Sequence, residues 1–263
     1  MALLTVSDIC KSFGGLAAVS HMSFEVKKGD IVSIIGPNGA GKTTVFNLLT
    51  GFYQVDSGNI LLNGQEISNM KSYRYIEKGI ARTFQNLKLF PAMTALENVL
   101  IGYQSRMNYG RMSAIFNGKQ KRAQEENARA KSMEVLREIG LDHYAGEVCC
   151  NLPYGVQKKL EIARAMVSEP ELILLDEPAA GLNPQETEEL ADFIRLLPKK
   201  GFSVLLIEHD MSLVMSISNY IYVMDYGKKI AEGLPEAIQK DERVIEAYIG
   251  KGGIRNAAGS EKA

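Results

Sequence analysis

Short apolar runs alternate with longer segments in which apolar residues recur every three or four positions. Runs of β-branched residues between turn residues are typical of buried strands, whereas the longer period is typical of amphipathic helices. The predicted strands are Leu3–Ile9, Met22–Val26, Ile31–Ile35, Asn59–Leu62, Leu172–Leu175, Ser203–Ile207, Tyr220–Asp225 and Lys228–Glu232. The predicted helices are Val45–Thr50, Ala95–Gln104, Lys119–Ile139, Val156–Val167, Pro184–Leu197 and Met211–Ser218.

The order of these elements predicts the fold class. Strands that alternate with helices predict an α/β fold with a central parallel sheet. Strand runs are missing between Met93 and Gly146, where the remaining patterns predict an all-helical insertion. We expect a polar, mobile centre near Met107–Lys119 in this insertion and a frayed tail over Lys251–Ala263.

Composition narrows the class of protein. The 263 residues are 46% hydrophobic and 23% charged, which suits one large core with an inserted subdomain. The net charge is −1, so the chain is a poor candidate for binding nucleic acid, which requires a concentrated basic surface. The apolar runs are too short to cross a bilayer and the N-terminus does not resemble a secretory signal. We therefore expect a soluble cytoplasmic protein, with any membrane contact supplied by a partner.

Cysteine usage points away from a metal or disulfide scaffold. The three cysteines are too few and too poorly spaced for a disulfide framework or a zinc site. The adjacent Cys149 and Cys150 are predicted to be small buried side chains.

The segment after Ile31–Ile35 matches the phosphate-loop pattern G-x-x-x-x-G-K-[ST] at every fixed position, and it reads Gly36-Pro37-Asn38-Gly39-Ala40-Gly41-Lys42-Thr43. Its position between a predicted strand and a predicted helix favours a phosphate site over a glycine-rich turn without function. Glycines let the backbone N–H groups wrap phosphates at a helix N-terminus. Lys42 would reach the β/γ-phosphates and Thr43 would hold Mg²⁺. The loop alone leaves kinases, GTPases and motors open.

An acidic pair follows the apolar run Leu172–Leu175. Open α/β sheets bind ligands at the carboxyl ends of their strands, and successive side chains on a strand point to opposite sides. We assign Asp176 to the Mg²⁺ shell and Glu177 to polarising the attacking water. The alternative is that these acids only cap a helix.

Two further side chains are candidates by position. His209 follows the strand Ser203–Ile207, where it could sense the γ-phosphate. A lone histidine at a strand end is more often structural. Gln85 has no distinguishing feature on its own, since surface glutamines are common.

Taken in order, these segments resemble the nucleotide-binding subunit of an ABC transporter from about Leu3 to Gly250. The order and spacing of the motifs carry the resemblance: the phosphate loop, Gln85 at the Q-loop position, the signature-like segment Leu152–Gln157, the acidic pair, Gly181-Leu182-Asn183 at the D-loop position and His209 at the switch position. The resemblance implies a P-loop NTPase (RecA-like) core over residues 1–91 and 156–250 with an N-terminal antiparallel β subdomain. It also implies a helical subdomain over 92–155 and a flexible tail over 251–263.

The resemblance further implies a site for ATP and Mg²⁺. Gln85 would join Thr43 and Asp176 around the metal. Phe13 occupies the aromatic position that stacks on adenine, with core packing as the alternative. The residues implied to bind nucleotide are Phe13, Gly36, Asn38, Gly39, Ala40, Gly41, Lys42, Thr43, Thr44 and, from a second chain, Gly155. Those implied in catalysis are Glu177, His209 and Gln85.

The sequence departs from the family at two of these motifs. The usual signature Leu-Ser-Gly-Gly-Gln is replaced by Leu152-Pro153-Tyr154-Gly155-Val156, so the serine hydroxyl is absent. Pro153 suits the first turn of a helix, whose N-terminus can still present backbone N–H groups and its dipole. The D-loop carries Asn183 where the family often has aspartate, which leaves the communication between two sites open.

Three stretches narrow the resemblance to the ATPases of branched-chain amino-acid importers: Gly79–Asn86, Asn151–Gly155 and Ala179–Pro184. The insertion around Met107–Asn127 points to the larger of that system's two paralogous ATPases. Lipopolysaccharide-export ATPases are near relatives, and a soluble ABC ATPase for assembly or remodelling is a further alternative. The implied partners are membrane permeases, a second ATP-binding subunit (in a homodimer or paralogous heterodimer) and, indirectly, a substrate-binding protein. The implied location is the inner face of the cell membrane, as a peripheral subunit.

Overall fold

The computed structural model describes residues 2–107 and 119–249. The chain divides into two compact units, the first formed by Met1–Ser72 with Leu197–Ala263 and the second by Tyr73–Leu196. The mobile centre predicted near Met107–Lys119 and the predicted frayed tail fall largely on residues 108–118 and 250–263, outside the described residues. The predicted domain boundaries at 91, 155 and 250 stay a prediction.

The described strands are β1 (Ala2–Phe13), β2 (Leu16–Lys27), β3 (Ile31–Ile35), β4 (Ser57–Leu62), β5 (Gln65–Glu66), β6 (Ile80–Arg82), β7 (Leu172–Asp176), β8 (Ser203–Ile207), β9 (Tyr220–Asp225) and β10 (Lys228–Gly233). The described α-helices are α1 (Lys42–Leu49), α2 (Tyr73–Glu77), α3 (Ala95–Tyr103), α4 (Lys119–Glu138), α5 (Tyr154–Met166), α6 (Pro184–Leu196), α7 (Met211–Ile217), α8 (Pro235–Ile238) and α9 (Glu242–Ile249). None of these described helices combines the length and apolar character needed to cross a bilayer.

The first unit begins with an antiparallel sheet in the order β2-β1-β4-β5. β1 and β2 form a hairpin that is longer than the predicted strands, because its partly exposed outer residues also pair. The turn at Gly14 has φ +57° and brings Phe13 opposite Leu16 at the tip. The hairpin therefore carries Phe13 at its end.

The other strands of the first unit lie side by side in the order β10-β9-β3-β8. β3 pairs in parallel with both β8 and β9, and all five of its residues are buried, as its continuous apolar run predicts. β9 and β10, both predicted as strands, form an antiparallel hairpin. Both β3 and β8 therefore lead into predicted site residues at their carboxyl ends.

The C-terminal helices α8 and α9 have no counterpart in the sequence predictions. They pack on the first unit through a buried cluster of Ile35, Val214, Ile221, Val223, Ala231, Ile238 and Val244. α9 contributes Val244 and α8 contributes Ile238 to a cluster that also includes Ile35, the last residue of β3. Their place in the fold comes from this burial.

The second unit contains the parallel pair β6 and β7 and the helices α2 to α6. The core of its helical part is formed by Ala95, Leu96, Val99, Leu136, Leu141, Ala145, Cys149, Leu152, Leu160, Ala163 and Val167. Cys149 is buried, which raises the pKa of its thiol to about 11. Cys150 is exposed, so the prediction that both cysteines are buried is wrong for Cys150. Cys149 belongs to this core, whereas Cys150 lies outside it.

A capping box lies at the N-terminus of α3, and its removal is expected to lower the free energy of unfolding. Thr94 Oγ1 accepts a hydrogen bond from Glu97 N at 3.2 Å, and Thr94 N donates to Glu97 Oε2 at 2.8 Å. We expect Thr94→Ala to lower the free energy of unfolding by about 1 kcal/mol. Urea denaturation measures this change, with Thr94→Ser as the control that keeps the hydroxyl. Equal losses in both variants would contradict a capping role.

Candidate functional site

The phosphate loop leaves β3 and enters α1 along a path that requires glycine. Gly36, Gly39 and Gly41 have φ of +151°, +82° and +99°. A Cβ on Gly36 would lie 2.1 Å from the Met224 carbonyl oxygen, and one on Gly41 would lie 2.4 Å from that of Ala18. The backbone itself therefore lines the loop, as an anion cradle of N–H groups requires.

Lys42 is folded onto this loop. Its side chain is buried, and Nζ donates to the carbonyl oxygens of Gly36 at 2.6 Å and Pro37 at 3.0 Å. The ammonium thus ties the start of α1 to the start of the loop. Thr43 follows it in an exposed position, and the first turn of α1 has no acidic residue that would repel an anion. These features fit phosphate binding.

The candidate adenine contact lies at the tip of the β1–β2 hairpin. Phe13 is 42% exposed, and its ring meets that of Tyr53 edge-on at 5.0 Å between centroids. Core packing, the alternative that the sequence left open, therefore does not account for Phe13. Its role in stacking on adenine stays a prediction.

His209 follows β8 with a largely exposed side chain, 57% accessible. The segment that carries it is fixed by Glu208, whose buried carboxylate accepts the main-chain N–H of His209 at 3.0 Å. Asp210 then caps α7 by accepting from Leu213 N. Sequence reasoning missed Glu208, although a carboxylate directly after an apolar strand is the same signal that singled out Asp176.

In the second unit, the acidic pair has two different environments. Asp176 ends β7 with 3% exposure, and its Oδ2 accepts from Arg82 Nη2 at 2.8 Å. Glu177 follows with φ +47°, a left-handed conformation that costs a non-glycine residue about 1 kcal/mol or more. The chain therefore turns sharply between the two carboxylates, which is why they face different groups.

The structure brings Gln85 and Glu177 together. Gln85 Nε2 donates to Glu177 Oε2 at 2.8 Å, across 92 residues of sequence. A neutral amide that donates to a carboxylate fixes its orientation without adding a charge. Two of the three predicted catalytic residues are thus direct neighbours within one unit.

The segment after Gln85 is held by α5 through three charged side chains. Lys158 Nζ donates to the carbonyl oxygen of Gln85 at 3.3 Å, while Glu161 accepts from Lys88 N and Arg164 donates to Lys88 O. Burial raises the pKa of the Glu161 carboxyl. Sequence reasoning missed this cluster. Its signal is a charged residue at every third position of one helix, at 158, 161 and 164.

The signature-like segment forms the start of α5, two residues earlier than predicted. Pro153 is the N-cap, without a side-chain cap bond, and Gly155 lies so close to Glu186 that a Cβ would be 3.3 Å from its Oε1. Tyr154 Oη donates to the Ala180 carbonyl oxygen at 3.3 Å. Asn183 and Glu186 exchange backbone-to-side-chain bonds at 3.0 Å each, so Asn183 acts here as a helix cap.

The available oxygen ligands fit magnesium. Within residues 2–107 and 119–249 there is no group of three or more His, Cys, Asp or Glu side chains that could hold a metal. Mg²⁺ is usually held by one or two carboxylates together with substrate phosphates rather than by an all-protein cage. The Thr43 hydroxyl in the first unit and the Asp176 carboxylate in the second unit are each a hard oxygen donor of the kind that Mg²⁺ prefers.

Comparison with known proteins finds family models and relatives that match this chain. A family model described as ABC transporter matches residues 19–180, and one described as branched-chain amino acid ATP-binding cassette transporter matches residues 228–254. The high-affinity branched-chain amino acid transport ATP-binding protein BraF of Pseudomonas aeruginosa is 46% identical over 250 residues, covering 95% of this chain and 98% of BraF. The corresponding protein LivG of Escherichia coli K12 is 45% identical with the same coverage.

Solved structures that are similar to this chain are also ATP-binding cassettes of ABC transporters. A nucleotide-free ATP-binding cassette from an ABC transporter superposes with a TM-score of 0.84 at 34% identity, covering 95% of this chain and all of that one. A cassette in its ADP conformation gives a TM-score of 0.83 at 33% identity, with the same coverage.

Proposed function

The chain belongs to the ABC transporter family of ATP-binding proteins, and from this premise we propose that it binds and hydrolyses ATP to drive uptake of branched-chain amino acids through partner permeases. The family and the P-loop NTPase fold predicted from the motifs are confirmed. The observation that carries the proposal is the phosphate loop, in which Gly36 and Gly41 leave no room for a Cβ and Lys42 is held by the loop itself.

We assign nucleotide binding to the first unit. Lys42 and the N–H groups of the loop hold the phosphates, and Asn38 and Ala40 in the loop and Thr44 at the start of α1 complete the binding residues. The exposed ring of Phe13 offers a face for adenine. His209 contacts the γ-phosphate, from a segment that Glu208 keeps in place.

We next assign the groups that would act in hydrolysis. Thr43 and Asp176, with Gln85, would hold Mg²⁺, which offsets the charge of the phosphate oxygens when it is bound. Glu177 orients the attacking water and accepts its proton. The hydrogen bond from Gln85 supports this role because it fixes the direction of the Glu177 carboxylate before water arrives.

The proposed transporter requires two kinds of partner. Gly155, at the start of α5, faces the nucleotide of a second ATP-binding subunit, where the helix N-terminus favours phosphate. The permease contacts the segment Leu87–Phe90, whose side chains are half-buried or exposed; Phe90 is among the exposed large apolar residues. The chain then lies peripherally on the cytoplasmic face of the membrane.

Transport is favoured over soluble remodelling and over lipopolysaccharide export by the relatives. Proteins that are 45–46% identical over 95% of this chain carry names for branched-chain amino acid transport. These names describe those proteins, and their identity over nearly the whole chain supports the same cargo here.

The test is reconstitution of the full chain with its permeases in lipid vesicles, with a substrate-binding protein added. We expect magnesium-dependent ATP hydrolysis and accumulation of radiolabelled leucine, isoleucine or valine. The same preparation carrying Lys42→Ala controls for contaminating ATPases. Hydrolysis without uptake of these amino acids, but with movement of another solute, would refute the cargo and keep the ATPase.

A further inference from the structure

We propose that Glu161 and Arg164 of α5 are positioning residues for ATP hydrolysis, which act by fixing the loop that carries Gln85. In the proposed function Gln85 orients the carboxylate of Glu177, so the inference rests on that function. Both positioning residues lie outside the motifs found in the sequence. Their basis is a set of hydrogen bonds to the main chain of the loop.

The Gln85 loop, residues 84–90, has to find hydrogen-bond partners outside helices and strands. Of the described elements, none lies between β6, which ends at Arg82, and α3, which begins at Ala95. Main-chain N–H and C=O groups are strong donors and acceptors, and a group that is buried without a partner is costly. Side chains from neighbouring helices can meet this need, and those of α5 do so here.

Glu161 and Arg164 hold both main-chain groups of Lys88. Glu161 Oε1 accepts from Lys88 N at 3.2 Å, and Arg164 Nη1 donates to Lys88 O at 2.5 Å. The two side chains also pair with each other, with 3.6 Å between Arg164 Nη2 and Glu161 Oε1. The three residues therefore form a closed ring of contacts. Lys158, one turn earlier on α5, donates to Gln85 O at 3.3 Å.

The ion pair between Glu161 and Arg164 is placed where charge is costly. Glu161 is 3% exposed, and the side chain of Arg164 is 16% exposed. Burial raises the pKa of the Glu161 carboxyl and lowers the pKa of the Arg164 guanidinium. Apolar residues in place of a buried ion pair are often neutral or stabilising. Such residues could not supply an acceptor and a donor to the main chain of Lys88, which is what this pair adds.

The far end of the Gln85 loop is fixed by a different helix. Asn98 of α3 is fully buried, its Oδ1 accepts from Phe90 N at 2.8 Å, and its Nδ2 donates to Phe90 O at 3.1 Å. Loss of the Glu161 contact should therefore release the part of the loop before Phe90, which includes Gln85, and leave the far end in place.

The position of this loop decides how well Gln85 can serve Glu177. Gln85 is exposed, so packing does not hold its long side chain, and it reaches Glu177 through a hydrogen bond of 2.8 Å. In a looser loop this bond would form in a smaller fraction of molecules, because ordering the side chain costs entropy. The groups assigned to nucleotide binding lie in the first unit. The expected signature is therefore a lower kcat with a nearly unchanged Kd for ATP.

The first experiment compares Glu161→Ala with Glu161→Gln in the reconstituted transporter. We expect Glu161→Ala to lower kcat for phosphate release about tenfold, since a misplacement of roughly 1 Å can cost about 100-fold. The Kd for mant-ATP should stay within about twofold of wild type, the size of effect expected when no binding contact is removed. Glutamine keeps an oxygen that can accept the Lys88 N–H, so Glu161→Gln should retain most of the activity and the slow amide exchange at Lys88.

Glu189→Ala is the matched control. Glu189 is an exposed glutamate that accepts from Lys159 of the same helix α5 at 3.0 Å. This variant should keep the wild-type kcat and the wild-type amide exchange at Lys88. The kcat of each variant is expressed per mant-ATP site, so that a smaller folded fraction is not mistaken for a slower reaction.

A double variant tests whether Glu161 acts through Gln85. Gln85→Ala removes the donor to Glu177 and should itself lower kcat. In the Gln85→Ala background, Glu161→Ala should lower kcat little further, because no amide is left to be placed. A residue that only stabilises the fold would lower kcat by the same factor in both backgrounds. Arg164→Ala, which removes the other side of the ring, should show the same dependence on Gln85 and replaces Glu161→Ala if that variant does not fold.

The outcomes separate this inference from the proposed function. A wild-type preparation that neither binds mant-ATP nor releases phosphate refutes the proposed function itself. Wild-type hydrolysis with an unaltered kcat in Glu161→Ala and Arg164→Ala refutes only the positioning role. Equal factors in the two backgrounds, or full activity of Gln85→Ala, also refute that role, because the effect would then not pass through Gln85.

Discussion

Replacing Glu177 with glutamine is expected to lower kcat for ATP hydrolysis by about 10²- to 10⁴-fold while ATP binding persists. Glutamine has nearly the shape of glutamate but cannot accept a proton from the attacking water. Its amide can also keep a hydrogen bond with Gln85, which now donates to Glu177 at 2.8 Å. The change therefore removes the proposed base with little change in geometry. We expect the variant with ATP to accumulate as a closed dimer.

The measurement is phosphate release at saturating ATP, alongside mant-ATP binding and size-exclusion chromatography. Glu169→Gln is the matched control, since Glu169 is an exposed glutamate of the same unit that also has a positive φ, +48°. This control should hydrolyse ATP at the wild-type rate. Unchanged phosphate release in Glu177→Gln would refute the assigned role, whereas loss of mant-ATP binding would point to a structural effect of the substitution.

The sequence predicted those parts of the candidate site that consist of consecutive residues. The phosphate loop is a continuous segment whose glycines, lysine and threonine each have a local reason, and the structure shows the strand before it and the helix after it. The acidic pair likewise follows directly from the apolar run of β7. Such local patterns can be recognised in the sequence because the periodicity of strands and helices depends on neighbouring residues.

The partners of these residues could not be predicted, because each comes from a distant part of the chain. Arg82 meets Asp176 across 94 residues, and Glu161 meets Lys88 across 73. The pattern of residues around one position does not show which distant residue it will contact. The left-handed conformation of Glu177 was equally out of reach, since no glycine marks it.

The helices α8 and α9 were missed by the sequence predictions, and both are too short to form alone. α9 has eight residues and α8 has four, and isolated helices of that length are not stable in water. Their existence depends on the burial of Val244 and Ile238 against the first unit. The prediction that β1 ends at Ile9 was short for the same reason, because pairing with β2 holds the rest of the strand.

The ion pair between Arg82 and Asp176 leads to the second large effect. Both side chains are almost fully buried, at 7% and 4% exposure, with 2.8 Å between Nη2 and Oδ2. Arg82→Ala would leave the Asp176 carboxylate without this buried partner. Breaking a buried pair by removing one member typically costs about 3–5 kcal/mol of unfolding free energy, because the remaining charge stays desolvated. Urea denaturation of the variant should show a loss of this size.

If Arg82 and Asp176 stabilise the fold as a buried pair, the variant that lacks both side chains should lose less stability than the two single variants together. Arg195→Ala, which removes the partly exposed pair with Asp192, should cost about 1 kcal/mol or less and serves as the surface control. Asp176→Ala alone should also be strongly destabilising, since it removes the anion beside a buried guanidinium. Arg82→Ala combined with Asp176→Ala should then lose far less than the sum of the single losses, because no lone buried charge remains. Additive losses would instead mean that the two side chains stabilise the second unit separately, and that Asp176 reaches its position without Arg82.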